Sequence, residues 1–258
     1  PSHVDTEFVG APVDWDMVKA LLDARDKLAE EEWTRYWEAI LAFNQANTDD
    51  YKISEFTELV LMVGAVQRFL DSPSKEDALA ERFQRAFTPT MDLPLSSCTR
   101  LRSSGASARF GESSTIREVW IRSLWRARHL AAHGRLILPP GNLWTVKEHL
   151  LLVANAFPLL VKLDLARQGL CSLTENDQLD IDVFEERACR GPFEQVDGGW
   201  AWNEVRSREA LRRATARAVE DAWELTFGPE PETAQDDSGQ GEDGGDDESD
   251  CDPLRGAG

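Results

Sequence analysis

Arg128, His129 and His133 are the residues whose types and spacing point to chemistry. They stand in the stretch Leu124-Trp-Arg-Ala-Arg-His-Leu-Ala-Ala-His-Gly134, with Arg128 five residues before His133. Histidine gives and takes protons near neutrality, and arginine is a permanently charged planar donor that fits phosphate oxygens. An acid-base group beside an anion clamp suits a phosphodiester. The histidine needs no metal or cofactor for that work, and none is expected.

Five residues of α-helix amount to about 7.5 Å of rise and roughly 140° of rotation. Arg128 and His133 therefore cannot share one face, and they are expected to flank a groove. A second copy of the helix across a two-fold axis would gather both arginines and both histidines around one phosphate, because an isologous contact duplicates each group. His129 stands four residues before His133 on the same face and is placed to orient it or the substrate.

The segment that carries these residues reads as a helix capped by Ser114 or Thr115, with a buried face of Ile116, Trp120, Leu124, Ala127 and Ala131 and a glycine stop at Gly134. Before it, apolar spacing predicts one helix from Val13 to about Asn47, with Asp14 as a cap. A second is predicted over Lys52 to Phe69, starting near Ser54, and a third, capped by Ser74, over Lys75 to Phe87. Residues 89–114 read as a long basic loop. After a Pro-Pro-Gly turn, Leu143 to Gln168 reads as a long apolar helix kinked at Pro158. Residues 170–202 read as irregular, and Asn203 to Phe227 as a helix with an arginine-rich outer face.

The net charge of −19 is uneven. Residues 229–258 hold eleven acids and one arginine, a composition that predicts a disordered polyanion. Residues 100–135 hold eight arginines against Glu112 and Glu118, a net of +6. The whole-chain charge thus misreports the local field, and a basic surface near Arg128 is expected. Cys98, Cys171, Cys189 and Cys251 are widely spaced and read as reduced thiols, with no zinc spacing or disulfide framework. No run of about 18 apolar residues and no secretory signal are read from the sequence, so no membrane is expected and cytoplasmic residence follows by default. Trp33, Trp37, Trp120, Trp144 and Trp223 sit at helical spacing with other apolar residues and read as core. His3 and His149 read as surface or interface residues.

The order Arg128, His129, three residues, His133, Gly134 on a helix resembles the R-x-x-x-x-H motif of the HEPN superfamily, whose members often carry a polar residue directly after the arginine. The two helices over Glu58 to Phe87 and the long helix after the motif also resemble that domain, across roughly residues 50–170. The resemblance implies an all-α, HEPN-like helical bundle that pairs two protomers and, in active members, a metal-independent endoribonuclease. Many relatives act as toxins or in antiviral defence, often under an inhibitor or activator protein. The chain then divides into an N-terminal helical segment (1–48), the HEPN-like bundle (49–170), a C-terminal irregular segment and helix (171–228) and the acidic tail (229–258).

On this reading Arg128, His133 and His129 are catalytic. The ribose 2′-hydroxyl attacks phosphorus to leave a cyclic phosphate, so DNA resists cleavage. Arg100, Arg102, Arg109, Trp125, Arg126 and Arg135 bind the RNA strand. The alternative is a non-catalytic HEPN-like module that binds RNA or protein, favoured by Gln67 in Gly-Ala-Val-Gln-Arg-Phe-Leu, where relatives often keep an acid. A purely structural helical adaptor is the third class.

Overall fold

The computed structural model describes residues 14–47, 53–111, 113–135, 142–191, 195–196 and 199–227. Over these the chain is all-α, apart from a hairpin of two-residue strands. The expected acidic tail, the Pro-Pro-Gly turn, His3 and Cys251 lie outside the described residues. By its contacts the chain divides into one unit from Pro1 to Thr215 and another from Ala216 to Gly258.

The first helix pair is α1 (Trp15–Lys27) and α2 (Glu30–Ala46). A single helix was expected there, but Leu28 and Ala29 are extended, with ψ of 153° and 146°. No Gly or Pro marks the break. Its cause is packing: α1 buries Ala20 and Ala24, α2 buries Tyr36, Ala39, Phe43 and Ala46, and two separate helices can turn both faces inward where one rod cannot. Asp14 caps α1 as expected, accepting from the Met17 amide at 3.0 Å.

α3 (Glu55–Phe69) starts at Ser54, whose hydroxyl accepts from the Thr57 amide at 3.2 Å. α4 (Glu76–Ala86) begins after Lys75 with no side-chain cap, so Ser74 does not cap it. Both pack against α7 (Ile116–Ala132), and α3 also packs against α8 (Val146–Arg167). Trp120 of α7 is fully buried between Phe83 and Phe184, at ring distances of 5.5 and 5.0 Å. Deep aromatic packing of this kind holds α7 at a fixed depth and rotation.

The expected loop at 89–114 is largely helical: a 3₁₀ turn at Leu95–Ser97, then α5 (Thr99–Ser103) and α6 (Ala106–Phe110). Leu95, Cys98, Leu101 and Ala106 are buried, and this burial orders a segment too short and too polar to show helical periodicity. Residues 170–202 likewise hold α9 (Glu175–Asp182), α10 (Phe184–Arg190) and the hairpin β1 (Gln195–Val196) with β2 (Gly199–Trp200). α11 (Ala201–Phe227) follows, and Val205 packs with Leu179 and Val183.

Cys98 and Cys189, 91 residues apart, form a disulfide with Cα atoms 5.4 Å apart. This corrects the reading of reduced thiols; the close approach of α5 and α10 makes the pair, and no local spacing announces it. Among the described residues one helix, α8, is long and apolar enough to cross a membrane by length and composition alone, although Lys162 and Asp164 interrupt its apolar run; Leu152, Val153, Phe157 and Leu160 of this helix are buried in the core. Pro158 lies within it.

Trp120 and Trp144 are core residues, as expected, and Trp33 is partly buried. Trp37 is 46 % exposed and Trp223 64 % exposed, so helical spacing overstated their burial. His149 is fully buried, not at the surface. Among the described residues its two ring nitrogens have no hydrogen-bond partner, and burial holds the imidazole neutral, its pKa pushed down to about 3.

Candidate active site

α7 carries the site. Thr115 caps it by accepting from the Glu118 amide at 3.2 Å, and Ile116, Val119, Trp120, Leu124 and Ala127 are buried, close to the face read from the sequence. The helix ends as a Schellman motif: the Gly134 amide donates to the Ala131 carbonyl at 3.0 Å and the Arg135 amide to the Leu130 carbonyl at 3.0 Å. Gly134 has φ of +73°, a conformation that glycine adopts without Cβ strain. His133 is the capping residue, exposed at the point where the chain leaves the helix.

The polar side of α7 is laid out by charge pairing. Arg117 reaches Glu185 at 2.8 Å and also Asp92. Arg122 pairs with Glu118 at 3.0 Å and with Asp77. Arg126 is held bidentately by Glu76, at 2.7 and 2.5 Å, and its guanidinium lies over the Phe110 ring at 5.1 Å. Arg128 differs. Among the described residues it has no acidic partner, and its Nε is buried without a hydrogen bond.

Beside Arg128 the three rings of Trp125, His129 and His133 follow one another at helical spacing of four. Trp125 and His129 stack with centroids 5.3 Å apart and planes 9° apart, while His129 meets His133 edge to face at 4.4 Å. Among the described residues the imidazole nitrogens of His129 and His133 make no hydrogen bond to the protein. His129 and His133 are exposed, Trp125 and Arg128 half-buried. The helix end therefore offers two solvent-facing imidazoles and one unclaimed guanidinium within two turns.

The expected strand-binding residues divide. Arg100 is drawn into an ion pair with Glu148, at 2.7 and 2.9 Å, and Arg126 is committed to Glu76, so both brace the fold rather than await an anion. Arg102, Arg109 and Arg135 are exposed and without ion pairs among the described residues; Arg109 lies over Phe110 at 5.2 Å. The arginine-rich face of α11 is also spoken for in part: Arg206 pairs with Asp180, Arg208 with Glu186 and Arg213 with Asp182 and Glu209.

Sequence reasoning missed the acids that do this sorting. Glu76 and Asp77 open α4, and Arg122 and Arg126 stand one turn apart on α7, a pattern visible only once the two helices are known to be neighbours. It also missed the buried pair Arg117–Glu185, where desolvation raises the Glu185 carboxyl despite the arginine beside it. Among the described residues no group of three or more His, Cys, Asp or Glu side chains is arranged to hold a metal ion. Comparison with family models, curated proteins and solved structures returned no match for this chain.

Proposed function

We propose that this chain is a HEPN-like endoribonuclease that acts as a homodimer and cleaves RNA without a metal, in the setting of a toxin or antiviral defence effector under an inhibitor or activator protein. The observation that supports it is the isolation of Arg128. Its neighbours Arg117, Arg122 and Arg126 are all neutralised by carboxylates, while Arg128 is left half-buried and unpaired at the same helix end as His129 and His133. Leaving a partly buried cation without a protein counter-ion costs stability. An incoming phosphate supplies the missing charge.

In this reaction Arg128 holds the non-bridging phosphate oxygens as charge builds on them. His133 takes the proton from the ribose 2′-hydroxyl or returns one to the departing 5′-oxygen. The Trp125–His129 stack sets the rotation of His129, whose ring in turn meets that of His133 edge to face. Arg135 and Arg102 guide the strand. A second protomer, meeting the first across the ends of the two α7 helices, provides the other set of groups.

The test incubates the full chain with RNA and with the matching DNA in excess EDTA, alongside Arg128→Ala and His133→Ala. RNA cleavage to cyclic-phosphate ends, absent with DNA and reduced at least about 100-fold in both variants, supports the proposal. Binding of RNA without cleavage supports the second reading, a non-catalytic HEPN-like module. That reading draws on Gln67, which is buried with its amide nitrogen unpartnered where an acid was expected. Wild-type behaviour of both variants in cleavage and in binding overturns both.

A further inference from the structure

α1 buries two alanines fully and packs Met17 and Leu21 partly against the core. Ala20 and Ala24 are buried, whereas Trp15 is 72 %, Leu22 57 % and Val18 38 % exposed. Positions 15, 18, 22 and 25 recur at helical spacing and form one outward stripe, which ends at Arg25. Alongside it α2 exposes Trp37 and Leu41, and between the two helices runs an apolar groove of about 560 Å³ whose lining includes Leu21, Trp33 and Arg25. Apolar side chains this large, side by side on two neighbouring helices, mark a surface that another apolar surface covers.

We infer that this face is a two-fold interface between two copies of the chain, with the α1 helices antiparallel and the two grooves facing each other. The stripe is self-complementary about its own midpoint. Turning α1 over a point between Val18 and Leu22 sets Val18 on the partner's Leu22 and Leu22 on the partner's Val18. The same operation puts Arg25 level with the partner's Trp15, an indole that offers an open face to a guanidinium. Arg25 has no ion pair among the described residues, so that face is available to it.

The flanking charges fit the same register. Lys19 and Asp23 lie on one edge of the stripe, Lys19 exposed and Asp23 half-buried, both without an ion pair among the described residues. In an antiparallel two-fold contact residues of the same edge meet, and Lys19 comes within about two residues' rise, roughly 3 Å along the axis, of the partner's Asp23. The symmetry makes this pair twice. The surface shares no residue with the α7 end, so the two contacts do not compete for side chains.

The experiment is sedimentation equilibrium of the full chain at micromolar concentration, with circular dichroism to verify that each variant keeps its helices. The wild type is expected to be at least dimeric, and Leu22→Asp, which places a carboxylate at the centre of the stripe, to halve the mass. Lys19→Asp, setting acid against the partner's Asp23, is expected to weaken association about 10-fold, and the double variant Lys19→Asp with Asp23→Lys to restore it. A monomeric wild type overturns the inference, as does an unchanged mass in Leu22→Asp; failure of the charge swap to restore association overturns the antiparallel register. Ribonuclease activity is read separately. A dimer lost only in variants at the end of α7 removes this interface and leaves the proposed active site standing.

Discussion

Glu76 holds Arg126 by two short hydrogen bonds, of 2.7 and 2.5 Å, and in doing so separates it from Arg128 two residues on. The two arginines look equivalent in the sequence. Their positions on the helix turn one toward the acids of α4 and the other away, so one braces the fold and the other is free to act.

This separation gives a contrast that a single assay checks. Glu76→Gln and Arg126→Ala are expected to lower stability by about 1 kcal/mol in urea unfolding, as for a partly exposed bidentate pair, with little effect on cleavage rate. Arg128→Ala should do the reverse: unfolding unchanged or slightly improved, and cleavage lost by at least about 100-fold. Equal loss of activity in Arg126→Ala and Arg128→Ala contradicts the division of roles.

The end of α7 depends on one glycine. Gly134 has φ of +73° and open space where a Cβ would stand, so Gly134→Ala meets backbone strain alone, about 1 kcal/mol. The strain loosens the Schellman hydrogen bonds beside His133. Cleavage by Gly134→Ala is expected to fall more than its small loss of stability accounts for, and Gly134→Asn, which tolerates the left-handed conformation, to recover most of it. Activity equal to wild type in the alanine variant argues that His133 does not need this helix end.

His149 ties stability to pH. Its folded pKa, pushed down to about 3 by burial, lies below that of the unfolded chain, near 6.5, so the unfolded state binds a proton that the folded state refuses. The stability linked to this group is complete above about pH 6.5 and is lost as pH falls, at about 1.4 kcal/mol per unit. The groups facing it are Glu148, which favours the charged form, and Arg100, which opposes it. Between pH 6.5 and 5 the paired carboxylates of Asp14, Glu148 and Asp177 stay ionised, since their pKa values are lowered. Urea midpoints measured over that window are expected to fall in the wild type and to flatten in His149→Leu. An identical slope in the variant assigns the effect to other groups.

The Cys98–Cys189 bridge closes a loop of 91 residues in sequence separation. By the restriction it places on the unfolded chain it contributes about 2–4 kcal/mol. Thermal unfolding with and without a dithiol reductant is therefore expected to differ by several degrees in the wild type and not at all in Cys98→Ser. The same melting curve for both proteins in both conditions rules the bridge out as a stabilising link.

Much of the scaffold was legible along the chain because its signals are local. Thr115, the apolar positions from Ile116 to Ala127 and Gly134 mark the start, the inward face and the end of α7, and Ser54 and Asp14 mark two other starts; each needs only neighbours within one turn. The break at Leu28–Ala29, the short helices from Leu95 to Phe110 and the pair α9 and α10 were not legible. Those segments take their shape from burial against distant elements and carry no periodic pattern of their own.

The sequence by itself determined which groups could do chemistry: it set Arg128 five residues before His133 and His129 between them, and a helix places all three at one end within two turns. Only the tertiary structure decided which of the many arginines remained available, because neutralisation depends on which carboxylates lie within reach. Glu76, Glu148 and Glu185 are 50, 48 and 68 residues from the arginines they hold. Electrostatic pairing acts through distance in space, which falls off within a few ångströms, and separation along the chain carries almost no information about it.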